Sequence, residues 1–235
     1  MNPDRNTSLY DSANPDNIIF FQKTLLRWFR KNKRRYPWRL QNDPFKILIA
    51  EMMLQRTRAE QVAPVYTAFI RKFPDPKSVL FARLDDISQY FSKLGLFWRI
   101  ALLRQMADHI VTHYQGNVPE RKDELVTIPG IGDYISDTLV VFAFNRRRTI
   151  IDSNVVRVVR LATRYFGIPS KGEMRRNRMF REFCQKLTYG LKHKTVKNFN
   201  WGLLDHSATI CKPVPLCEKC PLSRKCRYYK IREAI

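Results

Sequence analysis

The chain has 235 residues and carries 43 Lys+Arg against 21 Asp+Glu, a formal net charge of +22. That length can bury a good core as one domain or two intimate ones, and that charge calls for a polyanionic partner. No apolar run is long enough to span a bilayer and no lipidation motif is visible, so a nucleic acid is favoured over a membrane surface.

Residues 1–15 (MNPDRNTSLYDSANP) are polar and lack an apolar period, so a mobile tail is expected there. From Asn17 the run IIFFQKTLLRWFR places Ile18, Phe21, Leu25, Trp28 and Phe29 on one helical stripe. Tyr36-Pro37-Trp38-Arg39 breaks it. FKILIAEMMLQRT (45–57) reads as a strongly apolar helix, followed by AEQVAPVYTAFIRKF. Further helices fit 77–83, 85–93, 97–115 and 121–126, and strand signals are nearly absent. The basic runs at 30–35, 146–148, 171–181 and 192–197 are spread along the chain. Each alone reads as a solvated face. Together they suit nucleic acid better than a membrane anchor, which is more often one compact block.

Glu51 is a lone carboxylate inside the apolar run. It either lies on a wet helix face or is buried, where desolvation suits a carboxyl to proton transfer. Lys46 marks a polar face, and Glu51 stands about 140° around the helix from it. The second option therefore fits the pattern better.

IPGIGDY (128–134) follows a short helix, and Pro129 stops that helix. Gly130-Ile131-Gly132 gives a tight turn, and Asp133-Tyr134 opens a longer helix through about Phe144. The result is a helix–hairpin–helix. Free N–H groups at the second helix start are placed to meet a phosphate oxygen. An ordinary αα-turn with glycines for close packing is the alternative. Beyond it, Asp152 precedes the apolar-periodic run SNVVRVVRLATRYFG. It reads as a helix N-cap, as a carboxylate that stabilises a developing cation, or as both.

Cys211, Cys217, Cys220 and Cys226 follow the spacing C-x5-C-x2-C-x5-C. The intervening KPVPL, EK and PLSRK cannot build a core, so a group bound by the sulfurs must order them. Zinc sites usually show two C-x2-C knuckles, whereas two five-residue loops suit a larger [4Fe–4S] cluster. Two disulfides are disfavoured by the odd fifth cysteine, Cys184, and the lack of a signal peptide.

Taken together, these residues resemble the helix–hairpin–helix DNA glycosylases of the endonuclease III superfamily over about residues 18–230. Within it, YPWRLQNDPFKILIAEMMLQRT and FNWGLLDHSATICKP look like segments of the thymine-mismatch and adenine glycosylases. The resemblance implies an all-α fold of two helical subdomains with a helix–hairpin–helix motif and a C-terminal iron–sulfur cluster loop. Residues 16–40 and 149–235 would form one subdomain, with the loop at 211–226. Residues 41–148 would form a helical barrel with the hairpin at 121–144. It assigns Asp152 as the catalytic carboxylate and Glu51 as the pocket carboxylate, with Tyr134 beside the base. Gln55 and Arg56 probe the base stack. Pro129, Gly130, Ile131, Gly132 and Asp133 grip the backbone, and Lys219, Arg224, Lys225 and Arg227 meet phosphates.

Two departures matter. Endonuclease III carries a lysine, which attacks the sugar through an imine, where this chain has Tyr134. The resemblance therefore implies a monofunctional enzyme, without strong lyase activity, that leaves an abasic site. The first cysteine gap is x5, where relatives usually have x6. The adenine branch normally carries a further C-terminal domain, and this chain ends nine residues after Cys226. LQRTRA and KLGLFWR also look more like the thymine branch. The expected substrate is thymine, and uracil, opposite guanine in double-stranded DNA. A short adenine glycosylase and a non-catalytic iron–sulfur DNA-binding protein are the alternatives. A nucleoid-associated cytoplasmic monomer is expected.

Overall fold

The computed structural model describes residues 14–95, 97–163 and 174–233. Among them there is no β-strand, in keeping with the expected all-α class. The chain divides into two compact units, residues 1–34 with 147–235 and residues 35–146.

The first unit opens with α1 (Pro15–Asn32), whose N-cap is Asn14. The tail expected over 1–15 lies outside the described residues up to position 13. On α1, Phe21, Leu25 and Phe29 are buried, while Ile18 and Trp28 are partly buried against the same core. This is the stripe that the 3.6-residue period implies. It packs on α11 (His193–Thr209). Gly202 permits the approach, since a Cβ there would stand 3.3 Å from both Leu25 Cγ and Phe29 Cβ. Helices α9 (Ser153–Thr163) and α10 (Arg178–Lys186) complete the core with Val155, Val158, Val159, Phe180 and Phe183. Cys184 lies fully inside it, and burial pushes its thiol well above the usual range. It is an inert packing residue. Helix α12 (Arg227–Glu233) closes the described chain.

The second unit is built on α2 (Pro44–Leu54) and α8 (Asp133–Phe142). Both are apolar nearly all round and buried, as core helices are. Asp43 caps α2 by accepting from the N–H groups of Phe45 (2.9 Å) and Lys46 (3.3 Å). Against α2 pack α3 (Ala59–Lys72) and α8. Helices α4 (Pro76–Leu80) and α5 (Leu84–Phe91) pack on α6 (Trp98–Tyr114). Helix α7 (Lys122–Leu125) forms the first arm of the hairpin. It is shorter than the expected 121–126, because the chain turns through residues 126–130 before Gly132 caps α8.

Candidate functional site

The cysteine segment is organised as its composition implies. Cys211, Cys217, Cys220 and Cys226 all line one pocket of the first unit, about 290 Å3 including its open mouth. Short 3-10 turns at Cys217–Lys219 and Ser223–Lys225 carry the intervening residues. Burial, then the neighbouring thiols, push Cys211 up to about 12, and burial pushes Cys220 up to about 11. Thiols raised in this way ionise only if a cation holds them. Among the described residues, no three His, Cys, Asp or Glu donors close on a point that one ion could occupy. Four cysteine sulfurs on one pocket are a donor set that a metal centre could use.

Two residues not singled out in the sequence secure this segment. His206 is buried, and burial lowers it to about 4, so it is neutral. Its Nε2 lies 3.3 Å from Cys220 Sγ, and its ring meets Trp28 edge-on at 5.5 Å. Its buried Nδ1 has no partner among the described residues. Since an unmet lone pair costs less than an unmet N–H, Nε2 is the protonated nitrogen and donates to the sulfur. Arg157 on α9 donates from Nε to the Cys211 carbonyl oxygen (2.8 Å) and from Nη2 to that of Ser207 (3.0 Å).

Asp152 ends an extended segment that side chains hold on both sides. Thr149 N–H donates to Gln185 Oε1 (3.0 Å) and Thr149 Oγ1 to the Cys184 carbonyl oxygen (2.7 Å). Ile150 N–H donates to Oδ1 of buried Asn200 (2.7 Å), whose Nδ2 donates to the Arg148 carbonyl oxygen (2.9 Å). The segment therefore delivers Asp152 to the start of α9 in a fixed place. There Oδ1 accepts from Val155 N–H (2.6 Å), so the capping role is real. Oδ2 accepts from Asn154 Nδ2 (3.0 Å), and Asn154 Oδ1 accepts from Arg157 Nη1 (3.0 Å). A carboxylate oxygen has two lone pairs, so capping leaves acceptor capacity on both oxygens.

Glu51 and Tyr134 belong to the second unit. Glu51 is only 7% exposed, which removes the wet-face reading. Gln55 and Arg56 follow it at the end of α2, and Arg56 turns the chain at φ 60° and is exposed. Tyr134 lies half-buried in the first turn of α8. In the hairpin, Gly130 is required twice over. Its φ is +85°, and a Cβ would stand 3.0 Å from Leu102 Cδ2 on α6. Gly132 differs. Its φ is negative and a Cβ would meet nothing within 4 Å, so space is open before the first N–H groups of α8. Lys122 is engaged by Asp133 (3.0 Å) and buried Asp137 (2.7 Å), which tie the two arms together.

Of the basic residues expected to meet phosphates, Lys219, Arg224 and Lys225 are exposed and Arg227 is half-buried. Lys225 is partly committed within the unit, with Nζ 3.1 Å from Asn17 Oδ1 and 5.1 Å from the centre of the Phe20 ring.

The chain is 32% identical to a thymine/uracil-DNA glycosylase of Methanothermobacter thermautotrophicus, over 94% of this chain and 97% of that one. It is 30% identical to an adenine DNA glycosylase of Buchnera aphidicola subsp. Baizongia pistaciae, over 90% of this chain but 59% of that one. Its fold superposes on the structure of a thermostable thymine-DNA glycosylase with a TM-score of 0.85 at 31% identity, covering 93% and 99% of the two chains. Residues 49–186 match the HhH-GPD superfamily of base excision DNA repair proteins, and this chain belongs to that family.

Proposed function

We propose that this protein is a monofunctional DNA glycosylase that releases thymine, and uracil, mispaired with guanine in double-stranded DNA. The observation that carries the substrate class is the likeness to a thymine/uracil-DNA glycosylase across nearly the full length of both chains. The carboxylate delivered to the start of α9 and the buried Glu51 on α2 support a catalytic reading over a purely DNA-binding one.

The roles follow from chemistry. The cationic surface gathers duplex DNA. Pro129, Gly130, Ile131, Gly132 and Asp133 grip the backbone, with a phosphate oxygen in the open space at Gly132. Lys219, Arg224 and Arg227 add phosphate contacts, and Lys225 can do so by exchanging its Asn17 bond. A wobble pair opens more easily than a matched pair, so flipping itself discriminates. Gln55 or Arg56 fills the vacated stack. Glu51 and Tyr134 contact the base. As the bond to the base breaks, positive charge builds on the sugar, and the Asp152 carboxylate stabilises it until water adds. Tyr134 is a phenol and forms no imine. Lys122 is held by two carboxylates. Neither supplies an amine to attack the sugar, which leaves base loss without strand cleavage.

The four cysteines suit a [4Fe–4S] cluster by donor type, crowding and pocket. Such a cluster supplies covalent order to a segment that has little core of its own, and hydrolysis asks no electron of it. The purified protein is expected to be brown, with broad absorption near 400 nm and iron rather than zinc. Cys220→Ala should lose the iron and the local order.

An adenine glycosylase is the second reading, favoured by the Buchnera likeness at 30% identity. A base-release assay on duplexes with G·T, G·U, A·G and A·8-oxoguanine pairs separates the two. Release of thymine and uracil supports the proposal, and release of adenine alone overturns it.

A further inference from the structure

Arg99, at the start of α6, is 1% exposed. A guanidinium is rarely buried so fully unless its donors are met by an acceptor worth the desolvation. Among the described residues its acceptors are two neutral oxygens rather than a carboxylate. One Nη donates to the Met52 carbonyl oxygen, and the other donates to Gln55 Oε1 at 2.8 Å. Its Cζ lies over the Trp98 ring, 4.4 Å from the ring centre. Its Nε is buried without a partner among the described residues. Burial and the neighbouring Arg56 lower it to about 10. The protein thus bears a standing desolvation cost to keep this cation at the end of α2.

Half of the arrangement is ordinary. Met52 offers one of the last four carbonyls of α2, and a cation there completes a helix end. The other half is not, since closing a helix does not require a bond to the Gln55 side chain. We propose that Arg99 is a positioning residue for Gln55, fixing that side chain at the end of α2 before DNA arrives. This rests on the reading of Gln55 as a residue that enters the vacated base stack.

The chemistry also sets which way the amide faces. Arginine has donors and no acceptor, so the Gln55 oxygen must point at Arg99 and its NH2 must point away. Gln55 is therefore presented as a hydrogen-bond donor. A donor matches acceptor edges of an orphan guanine, which carries N7 and O6 in one groove and N3 in the other. Arg56, at φ 60°, leads the backbone off directly after it.

The test is a double-mutant cycle of Arg99→Lys and Gln55→Ala. Base opening is followed by 2-aminopurine fluorescence and base release by single-turnover kinetics. Lysine keeps the charge but lacks the fork that reaches both oxygens. Each single variant should lower opening and release by about tenfold, and the double variant should be no worse than Gln55→Ala alone. If Gln55→Ala is impaired and Arg99→Lys adds its own full factor, Arg99 is structural and the proposal falls. If Gln55→Ala matches the wild type, the reading of Gln55 itself falls, and this inference with it. A measurement on the free wild-type protein needs no variant. The Gln55 side-chain NH2 should be as ordered as the backbone, with an NMR order parameter near about 0.85, and a value below about 0.6 contradicts the proposal.

Discussion

Arg157 and Cys211 are joined by a hydrogen bond, Nε to carbonyl oxygen at 2.8 Å, between the helix that Asp152 caps and the first residue of the cysteine segment. The same guanidinium reaches Asn154 Oδ1, and Asn154 reaches the Asp152 carboxylate. Every link lies within one compact unit. Ordering the cysteine segment and orienting the carboxylate are therefore parts of one network.

Arg157→Leu breaks that network at its centre. Three oxygens lose a charged donor, and each such bond is worth about 1.5–3 kcal/mol. We expect a lower thermal midpoint, less iron per chain and slower base release, with Arg157→Lys intermediate. Iron content and release rate measured on the same preparations check this. Full iron content with full activity in Arg157→Leu would show that the chain of bonds carries no coupling.

Asp152→Asn separates capping from catalysis. Asparagine caps a helix about as well as aspartate, so stability should change by less than about 1 kcal/mol. The charge that faces the sugar is lost, and release should fall by at least about 10²–10³-fold while duplex binding persists. Near wild-type turnover would leave Asp152 as a cap and nothing more.

The two hairpin glycines should part company. Gly130→Ala places a Cβ 3.0 Å from Leu102 at a positive φ, so it should destabilise the fold by about 1–3 kcal/mol. Gly132→Ala meets nothing within the protein and should change stability by about 1 kcal/mol or less, from the poorer cap. Its cost should appear instead in duplex affinity, as a weakening common to all sequences and strongest at low salt. Equal affinity in Gly132→Ala and wild type would remove the phosphate from this turn.

Borohydride should trap no covalent complex with a substrate duplex, because position 134 offers a phenol and Lys122 is tied to Asp133 and Asp137. Gel analysis of the trapped mixture reads this directly. Efficient trapping would reveal another amine at the sugar.

What the sequence made legible is chemistry local in the chain. Cysteine spacing, the P-G-I-G turn, the α1 stripe and the odd carboxylate in an apolar run each show within about twenty residues. The positioning residues do not. Arg157 bonds a carbonyl 54 positions away and Arg99 one 47 away, so the contacts that define their roles do not show in the local sequence. A signal was nonetheless present for both. Each is a lone cation in an apolar stretch, VVRVV and FWRIALL, as Glu51 is a lone anion in its own. His206 bonds Cys220 from 14 positions upstream, a distance set by the fold of the loop rather than by a period. The extent of α7 was overread because a turn stabilised by backbone bonds continues the helical pattern without being helix.

The most direct test of the account compares single-turnover release of thymine from a G·T duplex with release of adenine from an A·8-oxoguanine duplex. Both are run at the same moderate salt, since salt weakens binding to both. A site whose buried hydrogen bonds are arranged for thymine leaves them unpaired against adenine, a penalty of several kcal/mol in general. Thymine release should exceed adenine release by at least about 10³-fold. Faster release of adenine would contradict the account.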